Sequence, residues 1–271
     1  DALVQARQGL LRALDAGSPR ERAAAMVLRA SAAVGHVAAA GLPALALTTD
    51  DPVIDLWAMH SCGPKAACAE PLAQRWVQHD ASNLAAWAAV LEQTPVPQRD
   101  EVVARMARAT HLESYGPALA AVALQAMPDH VPAYLQVPLL LETLAMGAAA
   151  VGSLQGTATY CRQPLPPASA AFTHCAAIAR VMVERSDTVL GALVGLQLAE
   201  RTYMPAPEAQ RQREAIRAAP SPHGQIFEPQ QGWSCTGVQR MRKWVQLLAA
   251  HGEQGAAQTL AAMPAKPAAD R

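Results

Sequence analysis

Aromatic residues and net charge are what this 271-residue chain has least of. Aromatics make up 4% of the sequence and apolar residues 51%, so the core has to be built from Ala, Leu and Val. The chain holds 22 basic and 22 acidic residues, which gives a formal net charge of zero. A balanced chain generates no strong field for nucleic acid or an anionic membrane surface. We therefore expect no nucleic-acid partner.

Long uncharged apolar runs are also missing. The most apolar stretch, residues 143–161, is interrupted by Gly, Ser, Gln and Thr, whereas a membrane-spanning helix needs about 20 predominantly apolar residues. No membrane span is expected. The chain begins at Asp1 without an initiator Met or a signal peptide, which indicates a processed or trimmed end from which any targeting segment has been removed.

Alternating runs of β-branched and polar residues are scarce, whereas segments rich in Ala, Leu, Arg, Gln and Glu recur along the chain. These residues are strong helix formers, and Pro or Gly marks the corners between segments. The pattern predicts an all-α protein of about twelve helices, with antiparallel helical hairpins stacked as an α-solenoid-like bundle. We expect a single domain over residues 1–263, with a weak division near residues 160–167, and a disordered tail over residues 264–271.

Helix boundaries can be assigned at several corners. Residues 18–21 (Ser-Pro-Arg-Glu) have the pattern of a capping box. Asn83 and Thr188 are expected to cap the helices that follow them. A helix is predicted over residues 99–112, and a last helical pair over residues 238–263 is predicted to turn at a His-Gly dipeptide.

The five cysteines of the chain give an indication of its cellular compartment. Cys62 and Cys68 flank a Gly-Pro corner, and Cys161 and Cys175 flank a Pro-rich one. Across such corners two Cα atoms can approach to the roughly 5.5 Å that a disulfide requires. Two disulfides in an exported, periplasmic protein are the favoured interpretation. One alternative is that the cysteines are buried free thiols. A metal site is less favoured, because CxxC and HxxxH spacings are missing. Cys235 is left over, as a buried thiol or as a residue paired outside the chain.

Recognisable catalytic and cofactor motifs are missing, including GxSxG, the P-loop, HExxH, GxGxxG after a strand, the EF-hand loop and the kinase signature. The eight histidines are scattered, mostly near helix ends, where a cation complements the helix dipole. Asp51 and Asp55 lie one helical turn apart and are interpreted as solvated caps rather than an acid–base pair. We expect no enzyme, no cofactor and no metal.

The most organised stretch is a helix–turn–helix junction over residues 76–91. One helix ends in an Asp-x-x-Asn turn, and the next opens with an Ala-Trp pair that is followed by apolar residues three and four positions later. These residues are Asp80, Asn83, Ala86, Trp87, Val90 and Leu91. The junction resembles that between tetratricopeptide-type helical repeats, although no second copy follows at the repeat period of about 34 residues. The resemblance implies a stack that binds a protein partner on a concave surface, with Ala85, Ala88 and Glu92 facing the groove. It places Trp87 in the core.

One long irregular loop, residues 219–235, carries two of the rare aromatics, Phe227 and Trp233. Long loops within compact domains are often functional, and exposed aromatics make strong interface contacts. Phe227 and Trp233 are therefore candidate partner-binding residues. The alternative is that Trp233 anchors the loop onto the helix stack.

Charge is unevenly distributed along the chain. Residues 50–143 hold eleven acids and five bases, a local charge of −6, whereas residues 144–271 hold twelve bases and eight acids, a local charge of +4. One interpretation is ordinary solvated helix faces. The other is an acidic face in the middle of the chain that meets a basic partner.

The chain as a whole resembles Ala- and Arg-rich exported proteins of proteobacteria that carry paired cysteines, and some all-helical exported proteins of this kind are immunity or inhibitor proteins against secreted toxins. We therefore expect an exported, non-enzymatic helical-repeat protein that binds another protein, with a secreted bacterial toxin as the particular partner. The alternatives are an enzyme whose site is built from dispersed residues, and a carrier of a small apolar ligand in residues 139–156.

Overall fold

A computed structural model describes residues 2–32, 41–62, 67–149, 154–218 and 235–262. Within these ranges the chain forms fourteen α-helices and one short 3-10 turn, with no β-strand, which confirms the all-α prediction. The helices are α1 (Ala2–Asp15), α2 (Pro19–Ala32), α3 (Leu42–Ala46), α4 (Pro52–Cys62), α5 (Ala69–His79), α6 (Leu84–Gln93), α7 (Arg99–Met106), α8 (Ala118–Gln125), α9 (Ala133–Ala149), α10 (Gln155–Cys161), α11 (Ala170–Arg185), α12 (Val189–Thr202), α13 (Ala206–Ala218) and α14 (Cys235–Ala262). The predicted tail, residues 264–271, lies outside the described residues.

Neighbouring helices in the sequence pack against one another, most extensively α11 on α12, α4 on α5, α3 on α4, α5 on α6 and α8 on α9. Their buried faces form a cluster dominated by Ala, Leu and Val, as the shortage of aromatics requires. Trp76 of α5 is the largest of the fully buried side chains. Stacked helical neighbours with small core residues are compatible with the helical-repeat arrangement expected from the sequence.

Several predicted helix boundaries are confirmed by their hydrogen bonds. The Ser18 backbone N–H donates to Glu21 Oε2 at 2.7 Å, and the Glu21 N–H donates to Ser18 Oγ at 3.3 Å, which is the reciprocal pattern of a capping box. Thr188 Oγ1 accepts from the Gly191 N–H at 3.0 Å. The last helix breaks at Gly252, whose φ of 66° is a left-handed conformation that glycine adopts readily.

The prediction of a helix over residues 99–112 is wrong at its C-terminal end. Helix α7 ends at Met106, and the following residues, 109–115, form a non-helical segment that we call the central strip. Its backbone makes two isolated parallel bridges, from His111 to Asn83 and from Leu112 to Ser186. Tertiary hydrogen bonds therefore replace the last helical turn that the local sequence favours.

The central strip ties separate helix corners together. The Leu84 N–H, at the start of α6, donates to the His111 carbonyl at 2.8 Å. On the other side, the Asp187 N–H, between α11 and α12, donates to the Leu112 carbonyl at 3.0 Å. The Glu253 N–H, after the break in α14, donates to the Asp187 carbonyl at 2.7 Å. Three corners that are distant in sequence are thus held in one hydrogen-bonded row.

Asn83 is the polar side chain at the centre of this row. It is completely buried, and its Oδ1 caps α6 by accepting from the Ala85 N–H at 3.0 Å. The same oxygen accepts from the Glu113 N–H at 3.1 Å, and Nδ2 donates to the Glu113 carbonyl at 2.9 Å. Asn83 therefore serves both as a helix cap and as a connection between α6 and the central strip.

Both cysteine pairs expected from the sequence lie at disulfide distance. Cys62 and Cys68 join α4 to α5 with a Cα–Cα distance of 5.9 Å, and Cys161 and Cys175 join α10 to α11 with a distance of 5.6 Å. No helix in the described part of the chain is both long enough and apolar enough to cross a membrane.

Candidate functional site

The described residues enclose a large open groove of about 1510 Å³, which we call the central groove. Its walls are the start of α2, the corner between α3 and α4, helix α8, the central strip, the corner between α11 and α12, and the break in α14. The ionisable side chains that line it are Arg20, Glu21, Asp50, Asp51, His111, Glu113, Arg185, Asp187 and His251. It therefore has five carboxylates and two guanidinium groups.

One wall of the groove is fixed by Asp51. Its Oδ1 accepts from the Val53 N–H at 3.0 Å and so caps α4. Its two carboxylate oxygens also accept from the Arg20 guanidinium at 2.6 and 2.8 Å. These hydrogen bonds raise the pKa of Arg20. The charge of Arg20 is therefore matched within the protein, and the start of α2 is held against the start of α4.

Asp55 forms a buried ionic cluster behind this wall. It is completely buried, and its Oδ2 lies 2.5 Å from His79 Nδ1 while its Oδ1 lies 3.2 Å from Arg75 Nε. Burial raises the pKa of Asp55 more than its contacts with His79 and Arg75 lower it. Asp55 is thus a buried structural carboxyl, which corrects the expectation that it is a solvated cap.

Asp50 is the most accessible carboxylate of the groove, with a side chain that is 92% exposed. Its contacts are long: Oδ1 lies 3.4 Å from Arg75 Nη2 and 3.4 Å from His79 Nε2. Exposed ion pairs of this kind contribute little. Asp50 is therefore available to a ligand at small cost.

Tyr115 forms part of the floor in an uncommon backbone conformation. Its φ is 51°, a left-handed value that is rare for a residue with a bulky side chain. Its hydroxyl donates to Asp80 Oδ2 at 2.6 Å, and its ring lies 6.3 Å from that of Trp76. Burial, and then the hydrogen bond to Asp80, raise the pKa of Tyr115. The phenol therefore stays neutral and positions the end of the central strip.

Two carboxyls occupy the inner part of the groove. Asp187 Oδ2 accepts from the Ser114 N–H at 2.8 Å and from Ser114 Oγ at 2.7 Å, whereas its Oδ1 is buried without a hydrogen-bond partner. Burial raises the pKa of Asp187, and the nearby Glu253 carboxylate raises it further. Glu113 is half-buried, and burial followed by repulsion from Asp187 raises its pKa. The Asp187 carboxyl therefore makes ionisation of Glu113 more costly.

The predicted groove residues of the repeat junction are placed differently from the expectation. Ala85 and Ala88 are 5% and 2% exposed, so both are core residues and do not line a binding surface. Glu92 is half-buried against α10, where a Cβ added at Gly156 would lie 3.2 Å from Glu92 Cγ. Helical spacing does not separate the inner and outer faces of α6, because this helix is covered by α5, α7 and α10.

Trp87, which the repeat resemblance places in the core, packs against the edge of the core cluster and is not fully buried. The side chain is partly exposed, and its Nε1 donates to the Ala81 carbonyl at 2.8 Å. The Arg105 guanidinium lies over its ring, 5.9 Å from the centroid. Trp87 therefore covers the turn before α6 from outside, while Trp76 is the buried tryptophan of the junction.

The remaining predicted contacts, Phe227 and Trp233, lie outside the described residues. The groove carboxyls Glu113 and Asp187 were not singled out from the sequence. Residues 110–114, Thr-His-Leu-Glu-Ser, carry a single apolar residue and no strand-like alternation, so the local sequence gives no signal for a non-helical segment here. Among the described residues no group of three or more His, Cys, Asp or Glu side chains is arranged to hold a metal ion.

No protein-family model, no curated protein and no solved structure matches this chain.

Proposed function

We propose that this protein is an exported, non-enzymatic binding protein whose central groove accepts an extended, positively charged segment of another protein. The observation that carries the proposal is the groove itself, about 1510 Å³ in volume, with five carboxylates and two arginines in its lining. Since Asp51 already pairs with Arg20, four carboxylates remain against Arg185.

The size of the groove supports a macromolecular ligand. Sites for small molecules are typically about 300–1,000 Å³ and largely enclosed by apolar side chains. The central groove is larger and is lined by charged side chains at several helix corners. A peptide segment fits this shape better than a small apolar ligand does.

Asp50 and Glu113 are the residues to which we assign contact with the partner's cations. Asp50 is exposed and held only by long contacts. Glu113 has no side-chain hydrogen bond or ion pair within the described part of the chain, and its half-buried position strengthens any charge-assisted hydrogen bond that it accepts. Charge complementarity of this kind raises association rates and excludes acidic competitors.

The other parts of the proposal have separate support. Disulfides persist in oxidising compartments, so the two cysteine pairs support export. The stacked helices support a tetratricopeptide-like repeat arrangement. The narrower role, an immunity or inhibitor protein that binds a secreted bacterial toxin, rests on the resemblance to exported helical proteins of that kind.

The binding role can be tested by site-specific crosslinking. A photoreactive amino acid at Gln125, which lines the groove, should crosslink to a protein from an extract of the producing cells. The same amino acid at Gln210, an exposed position on α13 outside the groove, is the matched control. Equal crosslinking at both positions, or none at Gln125, would refute the assignment of the groove. Mass spectrometry of the crosslinked protein shows whether it is a secreted toxin.

The charge assignment is tested with a synthetic peptide of alternating Arg and Ser and its Glu-containing counterpart. We expect only the Arg peptide to bind, and D50N and E113Q to weaken binding by about two- to fivefold each, the value of a partly exposed ion pair. E214Q on α13 should leave binding unchanged. Binding that is insensitive to D50N and E113Q would exclude these carboxylates as anchors.

Acid–base catalysis in the same groove is a second candidate function. The observation that favours it is the neighbourhood of His111 and Glu113, where burial raises the pKa of Glu113 toward the range of a general acid. An enzyme should hydrolyse or isomerise some compound in a broad substrate panel, and E113Q should abolish that turnover. Turnover that survives in E113Q would assign it to another site or to a contaminant.

A further inference from the structure

The two disulfides of this protein lie in different surroundings. Cys161 and Cys175 are 3% and 0% exposed, inside the packed contact of α10 with α11. Cys62 and Cys68 are only partly buried and lie at the edge of the core. Thiol–disulfide exchange requires a thiolate to reach one sulfur, so access alone makes the Cys62–Cys68 bond the reactive one.

The reactive bond also joins opposite ends of two helices. Cys62 is the last residue of α4, and Cys68 directly precedes the first residue of α5; each helix has eleven residues. A helix C-terminus carries partial negative charge and an N-terminus partial positive charge. The first turn of α5 has no side-chain cap at Cys68, so its N–H groups can stabilise a thiolate there. The exposed Glu70 in the same turn offsets part of this effect.

We infer that the Cys62–Cys68 disulfide is an exchange site for thiols, at which Cys62 is attacked and Cys68 leaves as the thiolate. The incoming thiolate forms a bond to Cys62 Sγ, and the bond between the two cysteine sulfurs breaks with its electron pair on Cys68 Sγ. With a dithiol reductant, the reductant's second thiolate then attacks the reductant sulfur that is bonded to Cys62 Sγ, and Cys62 leaves. The dithiol is oxidised to a disulfide, and its two protons end on Cys62 and Cys68.

The polarity of α4 and α5 determines which cysteine is attacked and which one leaves, because exchange is faster when the leaving thiol has the lower pKa. Attack at Cys68 would instead leave a thiolate at the C-terminal end of α4, where the helix carries partial negative charge. The Cys161–Cys175 bond stays closed during this step, so the contact between α10 and α11 is kept. The chain thus contains its own matched control.

The test uses the wild-type chain and 2-mercaptoethanol, a small uncharged thiol. Existing thiols are first blocked with N-ethylmaleimide, the thiol is added for increasing times, and new thiols are trapped with an isotopically distinct maleimide. Trypsin cleaves after Lys65, which puts Cys62 and Cys68 on separate peptides. We expect the Cys62–Cys68 bond to open at least tenfold faster than Cys161–Cys175, with the mercaptoethanol adduct on Cys62 and the maleimide on Cys68.

Two outcomes would overturn the inference: opening of both disulfides at similar rates, or the adduct mainly on Cys68. The variant E70Q tests the electrostatic cause, because removing the carboxylate should speed exchange about two- to threefold, whereas E214Q on α13 should leave it unchanged. An unchanged rate in E70Q would contradict the role assigned to the start of α5.

Discussion

Replacing Asn83 by Ala should be among the most costly polar substitutions in this chain. The change removes the cap of α6, which is worth about 1 kcal/mol. It also removes both hydrogen bonds to the Glu113 backbone, and each costs about 1 kcal/mol when its partner is left without a replacement. We therefore expect a loss of about 3 kcal/mol in the free energy of unfolding.

S169A provides the matched comparison, because Ser169 caps α11 through a single bond to the Phe172 N–H and makes no connection between elements. It should cost about 1 kcal/mol. Urea unfolding followed by circular dichroism gives both values from the midpoints, provided that the slope is unchanged. If N83A costs no more than S169A, the central strip does not hold the corners together as we argue.

Two further predictions concern close packing and pH. G147A should destabilise the fold by about 3 kcal/mol, because the added Cβ would lie 1.8 Å from the Gly116 carbonyl oxygen. G9A is the control: its added Cβ would have no neighbour nearer than 3.8 Å, so this variant should be neutral or stabilising by up to about 1 kcal/mol. Thermal melts that rank the two variants in the opposite order would contradict the geometry of α9. Burial raises the pKa of Asp187 in the folded protein, so the stability that this group contributes is complete below its unfolded pKa of about 4 and is lost as the pH rises through the raised value. D187N should therefore lose less stability than the wild type between pH 4 and pH 7 in urea titrations, and parallel curves would show that Asp187 has no such effect.

Local patterns predicted the elements of this fold well. The all-α class follows from helix-forming residues punctuated by Pro and Gly, and the caps at residues 18–21, Asn83 and Thr188 follow from short side chains with an acceptor at the right position. The break at Gly252 also agrees with the turn predicted at the His-Gly dipeptide. These features depend on interactions within a few residues, and such interactions are visible in the sequence itself.

The predictions that failed concern which side of a helix is covered. Ala85 and Ala88 were placed on a surface and are buried, while Trp87 was placed in the core and lies at its edge, partly exposed. In an Ala-rich helix such as α6, small apolar residues occur on every face, so periodicity does not separate the inside from the outside. Only the neighbouring helices decide the rotation.

The sequence alone determined that the chain is helical, where most helices begin, and which cysteines lie across a shared corner, because capping, backbone preference and short-loop closure are local. Tertiary structure decided that residues 109–115 are not helical and that Glu113 and Asp187 meet in a groove. Those outcomes depend on hydrogen bonds between corners up to 75 residues apart, as between Leu112 and Asp187. No local preference encodes them, since each corner finds its partner only when the whole stack has formed.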